Sequence, residues 1–132
     1  MKFKIYCAWP DDYFVKCLGR KIGANPRSST LRRVVHNLSD GEAYTVRDWI
    51  EVHFDTNTIS WSRMEDLFQN HFDKLRNRHS GSDKKEWFFV TVGAFVQFAK
   101  KQRQVFGDKI ITAIERHRLS ERGKQDIFVR AY

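Results

Sequence analysis

The sequence predicts an α+β domain of about five helices with a small, mostly antiparallel sheet. Apolar residues recur at the i, i+3, i+4, i+7 spacing of a helical face in several stretches. Both ends of the chain instead alternate polar and apolar side chains, as half-buried strands do. Glycine, Asn-Pro and Ser-Asp-Gly punctuate the stretches between. With 132 residues, 41% of them hydrophobic and eleven of them Phe, the chain can build one core, so residues 1–132 are expected to form a single domain. No repeat, low-complexity tract or linker divides it.

Lys2 to Trp9 is rich in strand formers and predicts a first strand ending at Pro10. Asp11 and Asp12 then place negative charge where a helix begins, ahead of Tyr13, Phe14, Val15, Cys17, Leu18 and Ile22, so a helix is expected over 11–22. Gly23 and Asn25-Pro26 are turn chemistry. Ser28 or Ser29 caps a second helix, in which Leu31, Val34, Val35 and Leu38 share one face until Ser39-Asp40-Gly41 closes it.

Residues 45–55 admit two readings. Thr45 with Asp48 resembles a capping pair ahead of Val46, Trp49, Ile50, His53 and Phe54 at helical spacing. The same stretch fits a strand in which Ile50, Val52 and Phe54 alternate with Glu51, His53 and Asp55. The helix is favoured because a strand leaves Trp49 outside. Ser60 or Ser62 opens a longer helix carrying Trp61, Met64, Phe68, His71, Phe72 and Leu75, with Lys74, Arg76 and Arg78 suited to its C-terminal dipole.

After a polar loop, Trp87 to Val92 predicts a buried strand bounded by Gly93, with a helix continuous into the next segment as the alternative. Phe95, Phe98, Ala99 and Phe106 mark a helix ending at Gly107. Asp108 caps a further one through Ile110, Ile111 and Ile114, before a last strand from Asp126 to Tyr132. Strands at the two ends are expected to pair with each other.

Lys and Arg outnumber Asp and Glu by 24 to 16, a formal charge of +8, which favours a polyanionic partner. The charge is uneven: residues 1–40 carry eight basic and three acidic side chains, 41–83 five and eight, and 84–132 eleven and five. Paired end strands would gather the basic ends on one face. Two cysteines, Cys7 and Cys17, are too few for a secreted disulfide scaffold and read as buried thiols of a reducing compartment. No apolar run approaches the ~18 residues of a membrane span, and the first residues lack the apolar core of a secretion signal. A cytoplasmic protein is expected, nucleoid-associated if bacterial, with no membrane partner.

The segment Lys16 to Leu38, KCLGRKIGANPRSSTLRRVVHNL, resembles the helix-turn-helix unit of DNA-binding proteins, including their winged variants. Gly19 and Gly23 stand four apart, Leu18 and Ile22 supply inner apolar positions, and Leu31 and Val34 follow on the second helix. The turn, Ala24 to Arg27, is about two residues longer than the commonest form. The resemblance implies that residues 28–38 form a recognition helix presenting Ser28, Ser29, Thr30, Arg32, Arg33, His36 and Asn37 to duplex DNA, with Arg20, Lys21 and Arg27 beside it. Arg and Asn pair bidentately with guanine and adenine edges, while hydroxyls and helix amides hold phosphate. A second basic stretch, Lys100, Lys101, Arg103 and Lys109, continuing through Arg116, His117, Arg118, Arg122 and Lys124, is expected to clamp the backbone.

The sequence thus predicts a sequence-selective duplex-binding protein, a regulator or an origin- or operator-binding module, with no cofactor, metal or catalytic residue; RNA stays open beside DNA. Dimerisation fits, because one short recognition helix reads few base pairs. Two rivals stand. A basic interaction or inhibitor protein docking on an acidic partner would carry the same charge. A metal-dependent nuclease is the other: were 50–55 a strand, Glu51, His53 and Asp55 would point the same way and could hold a divalent ion. His36, His71, His79 and His117 lack a Cys or His at ligand spacing, which speaks against zinc. No Walker, dinucleotide-binding or nucleophile-elbow motif occurs.

Overall fold

The computed structural model describes residues 1–10, 19–26, 46–77, 87–119 and 125–128. Six strands form one antiparallel sheet: β1 (Lys2–Pro10), β2 (Arg20–Asn25), β3 (Val46–Asp55), β4 (Trp87–Phe88), β5 (Ile111–Leu119) and β6 (Gln125–Phe128), in spatial order β4-β2-β1-β3-β5-β6. Two helices, α1 (Trp61–His71) and α2 (Val92–Phe106), and a short 3₁₀ turn (Asp73–Leu75) complete the described elements. This overturns the expectation of about five helices with a small sheet. The sheet is the main element, and three stretches expected to be helical or turn are strands.

The first is Arg20–Asn25, expected as the end of a helix and its turn and observed as β2. Ile22 and Ala24 join the core while Lys21, Gly23 and Asn25 take the opposite face, a period of two that the apolar neighbours Leu18 and Ile22 mask. Gly23 lies mid-strand, where Tyr6 of β1 crosses it; a Cβ there would stand 2.5 Å from the Tyr6 hydroxyl oxygen. The helix-turn-helix arrangement is therefore not formed over 20–25. Residues 28–38, the expected recognition helix, lie outside the described residues.

The second is β3. Ile50, Val52 and Phe54 face the helices, and Trp49, Glu51 and His53 face away. Trp49 is not left in water: it is fully buried on the second face, as are Tyr6, Asn25 and Glu51. The assumption that one face of the sheet must be solvated is what fails.

The third is β5, expected as a helix on the spacing of Ile111 and Ile114. A bulge produces that spacing: Phe54 pairs with Ile111 but His53 pairs with Ala113, so Thr112 is the extra residue. Ile111 and Ile114 thereby reach the same core face three positions apart, mimicking a helix, and Glu115 and His117 turn to the other side. The end strands do not pair with each other. β1 is central, and β6 lies at an edge beside β5.

The helices sit where their caps and stripes put them. The Ser60 side chain accepts from the Arg63 amide to open α1, and Thr91 accepts from Ala94 to open α2, which ends at Gly107 with φ +105°. Phe68 is the hub of the core, with ring centroids 4.8 Å from Phe98, 5.5 Å from Phe95 and 6.1 Å from Phe54. Gln69 ties α1 to the sheet by donating to the Ile22 carbonyl at 2.9 Å. Among the described residues no helix is long and apolar enough to cross a membrane. Cys7 is a free thiol buried in this core, where loss of solvent pushes its pKa up to about 12. Cys17 lies outside the described residues.

Candidate metal centre

Strands β3 and β5 each carry a Glu-x-His triplet, Glu51-Val52-His53 and Glu115-Arg116-His117. Alternation puts both members of each triplet on one face, and the antiparallel register sets Glu51 directly opposite Glu115. The histidines fall on either side of this pair, His53 opposite Ala113 and His117 opposite Trp49. The result is a near-twofold arrangement in which two imidazoles and two carboxylates converge.

Their ligand atoms all lie within 4.8 Å of one another. His53 Nε2 is 2.9 Å from Glu51 Oε2 and 3.4 Å from Glu115 Oε2, while His117 Nε2 is 3.0 Å from Glu115 Oε2 and 3.3 Å from Glu51 Oε2. Each ring nitrogen thus faces two carboxylate oxygens, although it can direct only one N–H or lone pair. Directly opposed carboxylates repel unless something positive lies between them. Zinc-like ions hold N and O ligands at about 2.0–2.2 Å, so neighbouring ligands lie about 3.3–3.6 Å apart in a four-coordinate shell and about 3 Å apart in a six-coordinate one. The four N···O edges fall in that range, and the residues fit a divalent ion.

The surroundings hold these groups in place. Trp49 donates its Nε1–H to Glu51 Oε1 at 2.9 Å, leaving Oε2 for the centre. Its ring lies flat on His117, with centroids 5.3 Å apart and planes 5° from parallel. Asp48 accepts from Arg116 Nε and Nη2 at 3.0 and 2.8 Å and from Arg118 at 3.4 Å, pinning the β3–β5 register. Burial pushes the Glu51 pKa up, but hydrogen bonds donated by His117, His53 and Trp49 outweigh it and hold the carboxyl well below the usual range. Burial likewise pushes His117 down, and its hydrogen bond to Glu51 and the charges of Glu51 and Glu115 more than offset this, so its pKa is raised.

The site is asymmetric in depth. The side chains of Glu51 and His117 are 1% and 5% exposed, whereas those of His53 and Glu115 are 23% and 25% exposed. One half anchors and the other faces outward. Beside His53 a cleft of about 370 Å³ opens at the end of the sheet.

Of the expected DNA-contacting residues, Arg20, Lys21, Lys100, Lys101 and Arg103 are described. Arg20 donates to the Val90 carbonyl and is half-buried, and Lys21 is buried on the opposite sheet face from the helices. Arg27, Ser28, Ser29, Thr30, Arg32, Arg33, His36 and Asn37 lie outside the described residues. Lys100 and Lys101 are exposed on α2, with Arg103 half-buried. Arg116 and Arg118, expected to continue that basic helical face, lie on a strand and engage Asp48.

The strand alternative for 50–55 aligned Glu51, His53 and Asp55. The first two take part, but Asp55 stands at the strand's end, 3.5 Å from the Met1 ammonium, and Glu115 and His117 of the neighbouring strand complete the cluster. A search for Cys or His partners alone passes over His117, whose partner is Glu115 two residues before it. The repeated Glu-x-His spacing was the available signal, and it has meaning only when both stretches are strands. Comparison with family models, curated proteins and solved structures finds no match to this chain.

Proposed function

We propose that this protein holds one divalent transition-metal ion at Glu51, His53, Glu115 and His117 and uses it for Lewis-acid chemistry. The observation that carries the reading is the convergence of two Nε2 and two Oε2 atoms, with N···O distances of 2.9–3.4 Å and all four within 4.8 Å of one another, across paired strands. A mixed imidazole and carboxylate set suits zinc, iron, manganese or nickel better than calcium or copper(I). A structural zinc site is closed, usually by thiolates, but among the described residues this one has no sulfur ligand, and its outer half is partly exposed. A divalent ion at such a site polarises a bound oxygen and makes water a stronger nucleophile near neutral pH. In the chain's own terms, Glu51 and His117 fix the position, Trp49 fixes the carboxylate, and His53 and Glu115 present the ion outward.

The test is metal content and affinity. Metal-stripped protein titrated with Co²⁺ is expected to bind one equivalent and develop the visible absorption of a low-coordinate or distorted site. His53→Ala and His117→Ala should each weaken binding at least tenfold. A spectrum that stays that of the aqueous ion, with no zinc retained after dialysis, would refute the reading.

A second reading, binding to a nucleic-acid backbone, is favoured by the exposed Lys100 and Lys101 side by side on α2 and by the net charge of +8. Replacing both lysines by Ala should flatten the salt dependence of duplex binding by roughly 0.9 for each phosphate no longer neutralised. Arg32→Ala with Arg33→Ala should instead remove sequence preference, if those residues read bases. Equal losses from both pairs on every sequence would count against the division of roles.

A further inference from the structure

The cleft at the open side of the centre has a composition of its own. It lies where β1 begins and β2 and β3 end, and His53 belongs to both cleft and centre. Lys2 and Lys4, on β1, stand in register with Asp55 and His53 of β3, so both fall on the face that carries the centre. Phe3, Phe54 and Pro26 also line the cleft, with the Phe3 and Phe54 rings turned into the core on the other sheet face, 2% and 1% exposed. Among the described residues no carboxylate lines it. Asp55, the nearest by register, is engaged by the Met1 ammonium at 3.5 Å.

A divalent ion offset by the Glu51 and Glu115 carboxylates adds no net charge, so an incoming ligand meets a cationic wall and an ion approached past His53. An anion that satisfies both wall and ion needs several acceptor oxygens diverging from one atom. A phosphoryl group has three such oxygens and close to two negative charges near neutral pH. A carboxylate has two in one plane and a single charge. The volume, about 370 Å³, is within the range of small-ligand sites.

We propose that this cleft binds a phosphate monoester, its phosphoryl oxygens spanning the ammonium of Lys2 and the open side of the metal centre. The inference rests on the metal reading and names the ligand class for that site. Lys4 adds positive charge on the same wall.

The test uses the full chain loaded with Co²⁺ and phenyl phosphate as the probe, followed through the cobalt absorption. Phenyl phosphate should perturb the spectrum saturably and bind at least tenfold tighter than benzoate, and metal-stripped protein should bind it at least tenfold more weakly. Lys2 is exposed at the sheet's end, so Lys2→Ala should fold normally, keep its Co²⁺ affinity and lose at least fivefold in phenyl phosphate affinity; Lys2→Arg should recover most of it. Benzoate or sulfate binding as tightly as phenyl phosphate would overturn the choice of phosphoryl group. Unchanged affinity in Lys2→Ala would overturn the cleft as its site. Failure of Co²⁺ to bind at all defeats the metal reading and this inference with it, whereas normal Co²⁺ binding without a phenyl phosphate response defeats only the latter.

Discussion

Trp49 shows how much of the centre depends on a side chain that supplies no ligand. Its indole N–H occupies Glu51 Oε1 and its ring supports His117, so it orients one buried ligand of each kind. Trp49→Phe keeps most of the stacking surface and removes the donor, so metal affinity is expected to fall about 10–100-fold. Co²⁺ titration checks this, and an unchanged affinity would make the indole a packing group only. The ionisable pair gives a second expectation, for metal-free protein. Glu51, lowered, contributes stability that is present above its ordinary value of 4.5 and lost as pH falls through its folded value. His117, raised, contributes stability that is present below its ordinary value of 6.5 and lost as pH rises through its folded value. Urea midpoints should therefore peak between about pH 4.5 and 6.5 and decline on both sides, and His117→Ala should remove the alkaline decline. Metal affinity has the opposite slope across that upper limb, because the imidazole must give up its proton to the ion.

Among the elements, the bulge at Thr112 carries the most consequence. Were the same residues paired without it, every residue of β5 beyond Ile111 would change face relative to β3, because side chains alternate with a period of two. Deleting Thr112 removes the extra residue, makes Ile111–Phe54 and Ala113–His53 consecutive regular pairs, and leaves Ile114 on the core face and Glu115 and His117 on the other. Co²⁺ binding should therefore be retained; its loss would mean that the added twist of the bulge is needed to aim the ligands. The same bulge explains what could be read from the sequence and what could not. β1 was legible because its alternation is clean, and α1 because Ser60, Met64 and Phe68 agree on one period. At β5 the bulge wrote a helical spacing into a strand. At β3 the buried Trp49 broke the rule that one sheet face is polar, and with the strand reading set aside, the alignment of Glu51 with His53 had no geometric meaning. Half of the candidate centre was therefore visible as an alternative, and the other half hid in a segment assigned to the wrong period.

At the scale of the molecule, the centre joins the neighbouring strands β3 and β5, so an ion there should hold the sheet together rather than decorate it. An ion that binds only the folded state stabilises it by RT ln(1 + [L]/Kd), about 4 kcal/mol at a thousandfold excess over Kd. Zinc or cobalt should accordingly raise the thermal midpoint of stripped protein, and a chelator should reverse the change; a midpoint indifferent to both would place the ion outside the folding equilibrium. The charge of the whole chain remains a weak guide to partners. Of the basic residues expected to form a common DNA-facing surface, Arg116 and Arg118 serve the β3–β5 register through Asp48, and Lys21 is buried.

The pairing of Glu51 with Glu115 also bears on the order of events in folding. The two triplets are separated in the chain by both described helices, so neither half can capture an ion with full affinity until the intervening segment has collapsed and brought the strands side by side. Closing so long a loop is an entropically costly, late step. Cobalt colour appearing during refolding would therefore act as a clock for the docking of β5, ticking only after the helical signal is already present, and a nascent chain still lacking β5 would leave the cell's metal pool untouched.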